Sequence, residues 1–270
     1  NLIFQKRPEL KGKIYIAYCP ERVLPGKVIY ELENNDRVIG GVDEKSTQKA
    51  QDFYKNFVKG ELHATNARTA EMCKLVENSS RDVSIAFANE LSIICDKADI
   101  NVWELIKLAN KHPRVNILQP GTGVGGHCIA VDPWFIVSEF EKEAVIIRNA
   151  RQINTYKTEW VVEKIKNSSL AFELEHKKRP KVALMGLAFK PDIDDLRESP
   201  ALLVAETLLN DKAMDVLLVE PNLDAHPQYE LLDCNLAIEK ADIVVYLVAH
   251  KEFRGLKKQL IDLDFCGVAK

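Results

Sequence analysis

Much that would announce a function is missing from these 270 residues. Charge of one sign is missing: 37 Lys and Arg against 40 Asp and Glu leave a formal net charge of −3. That balance gives no electrostatic case for binding nucleic acid or an anionic membrane surface. Long apolar runs are missing too, and no stretch approaches the roughly eighteen uninterrupted apolar residues of a membrane span. Paired cysteines are absent: Cys19, Cys73, Cys95, Cys128, Cys234 and Cys266 lie far apart, with no Cys-x-x-Cys. Such spacing reads as reduced thiols in a cytoplasmic protein, not as a disulfide framework or a zinc site. The N-terminus, Asn-Leu-Ile-Phe-Gln-Lys-Arg-Pro, has no signal-peptide layout and no initiating methionine, as expected of part of a longer chain. There are no internal repeats and no low-complexity tract. What is present is 46% hydrophobic residues, enough for one large domain or two smaller ones with real cores.

Residues 1–42 read as a fragment, with short strands at Ile14 to Tyr18 and Arg37 to Gly41 around a turn at Cys19-Pro20-Glu21. From Asp43 to about Gln119 the pattern is helical, with Asp43 as a cap for a helix through Gly60. A long helix is expected over Ala67 to Ala98, which contains no Gly or Pro. Its segment Ile85 to Cys95 is apolar on nearly every side and should be buried all round, with a partner subunit as the expected cover. Asn101 and Glu104 form a capping box for a short helix ending before Pro113. Helix resumes from Ala144 to about Lys166, and the polar residues 167–180 read as a linker. From Lys181 the character changes to β-branched strands, at 181–189, 215–219 and 243–248, separated by a helix opening at Ser199-Pro200. The fold class is therefore α/β: a central helical domain over 43–166, then a parallel, Rossmann-like domain over 181–270.

The chemistry concentrates in Gly123-Val-Gly-Gly-His-Cys-Ile-Ala-Val-Asp132. A thiol is a nucleophile only as thiolate, and a helix N-terminus lowers its pKa. Glycines beside Cys128, Gly125 among them, allow a sharp turn and close approach of a substrate. Asp132 lies four residues on, so one helical turn puts it on the face of Cys128. The ordinary alternative is a buried structural thiol. His127 is adjacent to Cys128, and adjacent side chains point apart, which argues against a direct dyad. Gly121-x-Gly-x-x-Gly126 matches a dinucleotide fingerprint on paper, but Gln119-Pro120 and a helical region precede it where a strand is required.

Lys74 and Asn78 share one face of the long helix. Spacing alone favours a solvated face, while a buried lysine near a cysteine would hold a thiolate or an oxyanion. Glu21 is either a surface acid or a catalytic base, and local sequence leaves both open. Lys190 and Arg197 flank the acids Asp192, Asp194 and Asp195. They either pair with those acids or, lying past a strand end, suit a diphosphate.

Together these segments resemble the nucleotide-sugar 6-dehydrogenases, the UDP-glucose/GDP-mannose dehydrogenase family. The resemblance rests on Cys19-Pro-Glu-Arg-Val-Leu-Pro-Gly26, Glu71-Met-Cys-Lys-Leu-Val-Glu-Asn78, Gly123 to Pro133, and Gly186-Leu-Ala-Phe-Lys-Pro-Asp-Ile-Asp-Asp-Leu-Arg-Glu-Ser-Pro200. With His112-Pro-Arg-Val-Asn116, the first segment is most similar to the branch acting on UDP-N-acetylmannosamine. The resemblance implies oxidation of a sugar C6 alcohol to a carboxylate with two NAD and one water. It implies Cys128 as the nucleophile that forms a thiohemiacetal and then a thioester. Lys74 would steady the oxyanion, Asn78 and Asp132 would position and activate water, and Glu21 would assist hydrolysis. It further implies a homodimer through the long helix, in which Arg114 crosses to the neighbour's substrate. Lys190 and Arg197 would contact the UDP-sugar from a UDP-binding domain. Relatives acting on UDP-glucose carry a second glutamate where this chain has Pro25. No residue is singled out for the cofactor. Residues 1–42 are expected to be all that remains of the family's NAD-binding domain, leaving a chain that binds UDP-sugar but reduces little NAD. Two alternatives stand beside this: a non-catalytic UDP-sugar-binding or dimerisation module and, ranked last, a cysteine hydrolase.

Overall fold

The computed structural model describes residues 2–23, 27–211, 214–256 and 261–268. The chain divides into two compact units, residues 1–78 and 79–270.

In the first unit, α1 (Leu2–Lys6) and a short 3-10 turn precede β1 (Ala17–Tyr18), α2 (Val28–Asn34), β2 (Arg37–Gly41), α3 (Glu44–Tyr54) and β3 (Leu62–Asn66). The sheet order is β1-β2-β3, with β1 antiparallel and β3 parallel to β2. Asp43 caps α3 by accepting the Ser46 N–H at 2.7 Å. The strand β3 departs from the helical reading of this stretch. Its parallel partner lies across a whole helix, so nothing adjacent in sequence marks it. Gly40 explains how β2 fits beside it, because a Cβ there would lie 2.2 Å from the Asn66 carbonyl oxygen.

The helix α4 (Ala67–Ala98) has the expected bounds, although the Gly- and Pro-free run itself is longer, from 61 to 112. It ends where Asp99 turns left-handed at φ 55° and the Ile100 N–H closes on the Cys95 carbonyl at 2.9 Å. Burial all round is not observed within this single chain: Phe87 is 51% and Ile94 54% exposed. Next come α5 (Val102–Ala109), capped by Asn101, then α6 (Asp132–Glu139) and α7 (Val145–His176).

A polar ladder joins α4 to α7. Arg151 Nη1 and Asn154 Nδ2 donate to Asp82 Oδ1 at 2.7 and 2.8 Å. Asn89 Nδ2 donates to Asn154 Oδ1 at 2.9 Å, and Lys157 Nζ donates to Ser92 Oγ at 2.8 Å. Pairing offsets most of the cost of burying these groups, though Asp82 Oδ2 and Arg151 Nε are buried without a partner. Burial pushes the Asp82 carboxyl up, against the opposing pull of Arg151 and Asn154.

The segment expected as a linker is helical as far as His176. Its charges face water, while Ile165, Ser169 and Phe172 are buried, with Ile165 and Phe172 in the core beneath the second sheet. That sheet contains β4 (Lys181–Met185), β5 (Asp215–Val219), β6 (Ile243–Tyr246) and β7 (Ile261–Asp264). Its order is β5-β4-β6-β7, all parallel. Alternate residues of β4 and β6 feed two cores. Val182, Leu184 and Val245 pack with α7 and α8 (Pro200–Asp211), while Ala183, Met185 and Val244 pack with α9 (Cys234–Lys240) and Phe253. Strands buried on both faces read as continuous apolar runs, which is why they were legible.

Candidate active site

The glycine loop before Cys128 is clamped from several sides of the second unit. The Gly121 N–H donates to Asn89 Oδ1 at 2.9 Å, so the ladder between α4 and α7 also holds the loop's start. Thr122 Oγ1 donates to the Leu247 carbonyl at 2.7 Å, and Thr158 Oγ1 to the Thr122 carbonyl at 3.1 Å. The Gly126 N–H reaches the Arg197 carbonyl at 3.1 Å. A Cβ on Gly125 would lie 2.4 Å from the Glu198 carbonyl oxygen and 2.8 Å from Phe189 Cβ. The side of Gly125 where a Cβ would stand is thus filled by the chain's own 189–200 loop.

Cys128 is half-buried, in a turn just ahead of α6. Its carbonyl accepts the N–H groups of Val131 at 3.0 Å and Asp132 at 2.8 Å. The expected one-turn relationship between Cys128 and Asp132 is therefore present in the backbone. Arg197 lies beside this turn. Its guanidinium is held above its ordinary value mainly by hydrogen bonds to Asp195, and in smaller part by charge on Cys128. The Asp195 carboxyl is pushed down to about 2 by the same pairing. The Arg197 Nε and Nη2 grip both Asp195 oxygens. Lys190 is exposed, near the Phe189 ring.

At the C-terminal ends of β4 and β6 lies a cavity of about 350 Å³, lined by Gly121, Thr122, Phe189, Lys190, Pro200 and Val248 among others. Sheet order reverses between these two strands, and such switch points are where open α/β sheets bind ligands.

In the first unit, Glu21 Oε1 accepts the N–H groups of Arg22 at 2.7 Å and Val23 at 3.1 Å. Its Oε2 lies 3.5 Å from Nη1 of the buried Arg37. Arg22 pairs with Glu77, which stands on α4 between Lys74 and Asn78. The Cys-Pro-Glu-Arg and Glu71–Asn78 motifs are thereby joined, and Lys74 and Asn78 are both half-buried. Sequence reasoning missed Arg37. Burial pushes the Cys19 thiol up, against the opposing pull of Tyr54 and Arg37. Leu24, Pro25 and Gly26 lie outside the described residues. Arg114 is exposed, and its backbone N–H donates to His112 Nδ1 at 3.3 Å.

Among the described residues one group, Asp192, His250 and Glu252, brings potential metal ligands within 4.8 Å. The His250 Nδ1 lone pair is already engaged by the Asp192 N–H and by Asn222 Nδ2, and Nε2 faces Glu220. It is not an assembled coordination site.

A cysteine-bearing glycine loop beside a four-stranded parallel sheet defines an α/β protein with a candidate covalent centre. Profiles of the UDP-glucose/GDP-mannose dehydrogenase family match in chain order: the NAD binding domain over 1–58, the central domain over 68–156 and the UDP binding domain over 183–264. The chain is 56% identical to the UDP-N-acetyl-D-mannosamine dehydrogenase of Campylobacter jejuni, over 94% of this chain and 62% of that protein. It is 52% identical to the NDP-N-acetyl-D-galactosaminuronic acid dehydrogenase of Ralstonia nicotianae, over 95% and 60%. A solved UDP-N-acetyl-mannosamine dehydrogenase from S. aureus superposes with TM-score 0.82 at 37% identity, over 98% of this chain and 70% of that one. The chain belongs to the UDP-glucose/GDP-mannose dehydrogenase family.

It spans less than two thirds of the two curated relatives just named, 62% and 60% of their lengths. The NAD-binding match through residue 58 corrects the expectation that this domain ends at residue 42 and is otherwise missing. The unit's sheet itself continues to Asn66. The strand–helix–strand β2-α3-β3 fits part of such a domain. The spaces beside Gly40 and Gly41, however, are filled by Asn66, Asp43 and Thr47, not left as a pyrophosphate cradle. No described residue is therefore assigned to hold the cofactor.

Proposed function

We propose that this chain is the substrate-handling part of an NAD-dependent UDP-N-acetylhexosamine 6-dehydrogenase, with UDP-N-acetylmannosamine as substrate. The observation carrying the proposal is the clamped glycine loop that presents Cys128, one turn before Asp132 and beside Arg197. NAD, when bound, accepts the hydride of each of two oxidations. Cys128 sulfur adds to the C6 aldehyde carbon, giving a thiohemiacetal whose oxidation leaves a thioester. Water then adds to that carbon, the C–S bond breaks, and carboxylate and thiol are released.

In this scheme Lys74 steadies the oxyanion, and Asn78 and Asp132 hold the water. Glu21, oriented by Arg37, takes the water's proton. Lys190 and Arg197 meet the diphosphate at the ends of β4 and β6. A second copy covers the exposed Phe87 and Ile94 of α4 and brings its Arg114 to the neighbouring site. No helix among the described residues is long and apolar enough to cross a membrane.

The test uses the full-length protein with UDP-N-acetylmannosamine and NAD, following NADH and the sugar acid. Two NADH per acid are expected. Cys128→Ser should abolish acid formation while UDP-sugar still binds by calorimetry. Acid formation by that variant at the unsubstituted rate would sink the thioester route. A higher kcat/KM with UDP-N-acetylgalactosamine would move the substrate and leave the mechanism standing.

A further inference from the structure

Two N–H groups in the turn after β4 have an unusual owner. In a nucleotide-binding strand–turn–helix, such groups face a phosphate. Here the N–H groups of Leu187 and Ala188 donate to Glu220 Oε2 at 2.7 and 2.9 Å. Glu220 follows β5 and is 3% exposed. Its other oxygen accepts the Asn222 N–H at 3.1 Å. Burial by itself would push this carboxyl up, but His250 and the backbone N–H groups hold it below its ordinary value. The two N–H groups after β4 are thus satisfied from within by a side chain.

His250, fully buried, completes the arrangement. Its Nδ1 accepts the Asp192 N–H at 2.9 Å, so Nδ1 is unprotonated. The proton is therefore assigned to Nε2, which donates to Glu220 Oε2 at 3.1 Å. Asp192, left-handed at φ 59°, accepts the Lys251 N–H at 2.9 Å through Oδ1. One buried pair therefore pins both ends of the segment 187–192. Between the pins stand Phe189, packed on Gly125 and Gly126, and Lys190 at the cavity.

We infer that Glu220 and His250 are positioning residues for the UDP moiety. By fixing both ends of the Phe189–Lys190 loop, they aim Lys190 at the diphosphate. The carboxylate that does this also denies the turn after β4 to any second phosphate ligand. The inference rests on the UDP reading above.

The experiment is calorimetric titration of the full-length protein with UDP, in four forms: unsubstituted, His250→Ala, Lys190→Met and the double variant. His250→Ala should weaken UDP about tenfold and add nothing further in the Lys190→Met background. Asparagine keeps an acceptor near the Nδ1 position, so His250→Asn should recover most of the loss. His250→Gln fills the space but loses that acceptor, and should speed hydrogen exchange at Asp192 even if His250→Ala does not fold. Unchanged UDP affinity in His250→Ala or His250→Gln overturns the inference, as do losses that multiply with Lys190→Met. Failure of the unsubstituted protein to bind UDP overturns the UDP reading, and the inference with it.

Discussion

Arg22 holds Glu77 through two contacts, Nη2 to Oε1 at 2.8 Å and Nε to Oε2 at 3.0 Å, across 55 residues of chain. The pair links the residue after Glu21 to the turn of α4 that carries Lys74 and Asn78. Both partners are more than one third exposed, so the pair should contribute at most ~1 kcal/mol to stability. Its value lies in alignment. Glu77→Gln is expected to leave the melting temperature nearly unchanged and to lower kcat about tenfold. Steady-state kinetics beside a thermal melt decide it, and an unchanged kcat would remove the alignment role.

Gly125 is intolerant of a side chain for a reason internal to the fold. A methyl group would have to displace the Glu198 carbonyl and Phe189, contacts of 2.4 and 2.8 Å. Gly125→Ala should cost ~1–3 kcal/mol by overpacking. It should also shift the loop that presents Cys128, lowering the rate at which an iodoacetamide probe labels that thiol. A variant as stable and as reactive as the unsubstituted chain would mean that the 189–200 loop yields without cost.

How far the sequence could be read depends on the range of the forces involved. The bounds of α4, the Asn101 cap and the parallel strands after Lys181 are set by neighbours a few residues away, and all were legible. The strand Leu62–Asn66 owes its state to β2 across α3, and the helix over 167–176 owes its length to a sheet further along the chain. The Cys128 motif could be seen as chemistry, but what holds it could not. Asn89, Thr158 and Arg197 converge on the glycine loop from three separate segments. Asn154, polar on a buried helix face, was a signal that could have been followed. Glu220 and His250, 30 residues apart, left none.

The exposed face of α4 predicts self-association. Phe87 is 51% and Ile94 54% exposed, while Ala86, Ala88 and Cys95 between and beside them are buried inside the chain. Phe87→Glu should leave the monomer folded, since an exposed helix position accepts glutamate with little change in propensity. If the proposed second copy packs here, the substitution should lower the mass measured by sedimentation of the full-length protein toward that of one chain. A mass unaffected by this change, or by Ile94→Glu, would assign the contact to another face.

Lys157 offers a test with a defined sign. It is 1% exposed, donates to Ser92 and has its ammonium 3.8 Å from the centre of the Trp160 ring. Burial pushes its pKa down from 10.5 to about 7, only partly opposed by Asp96. At pH values below about 7, folded and unfolded chains both carry the proton, and the folded state bears the full cost of the buried charge. Between about 7 and 10.5 the unfolded chain binds more proton than the folded one, so this group makes stability rise with pH across that window. Lys157→Met replaces the charge with an apolar chain of similar length. It should stabilise the protein by ~1–4 kcal/mol at about pH 6, with the gain fading by about pH 10. Denaturant unfolding of both forms at several pH values measures the difference directly. A gain that stays constant with pH would show that Lys157 keeps an ordinary pKa, and that the cation over Trp160 is adequately solvated where it lies.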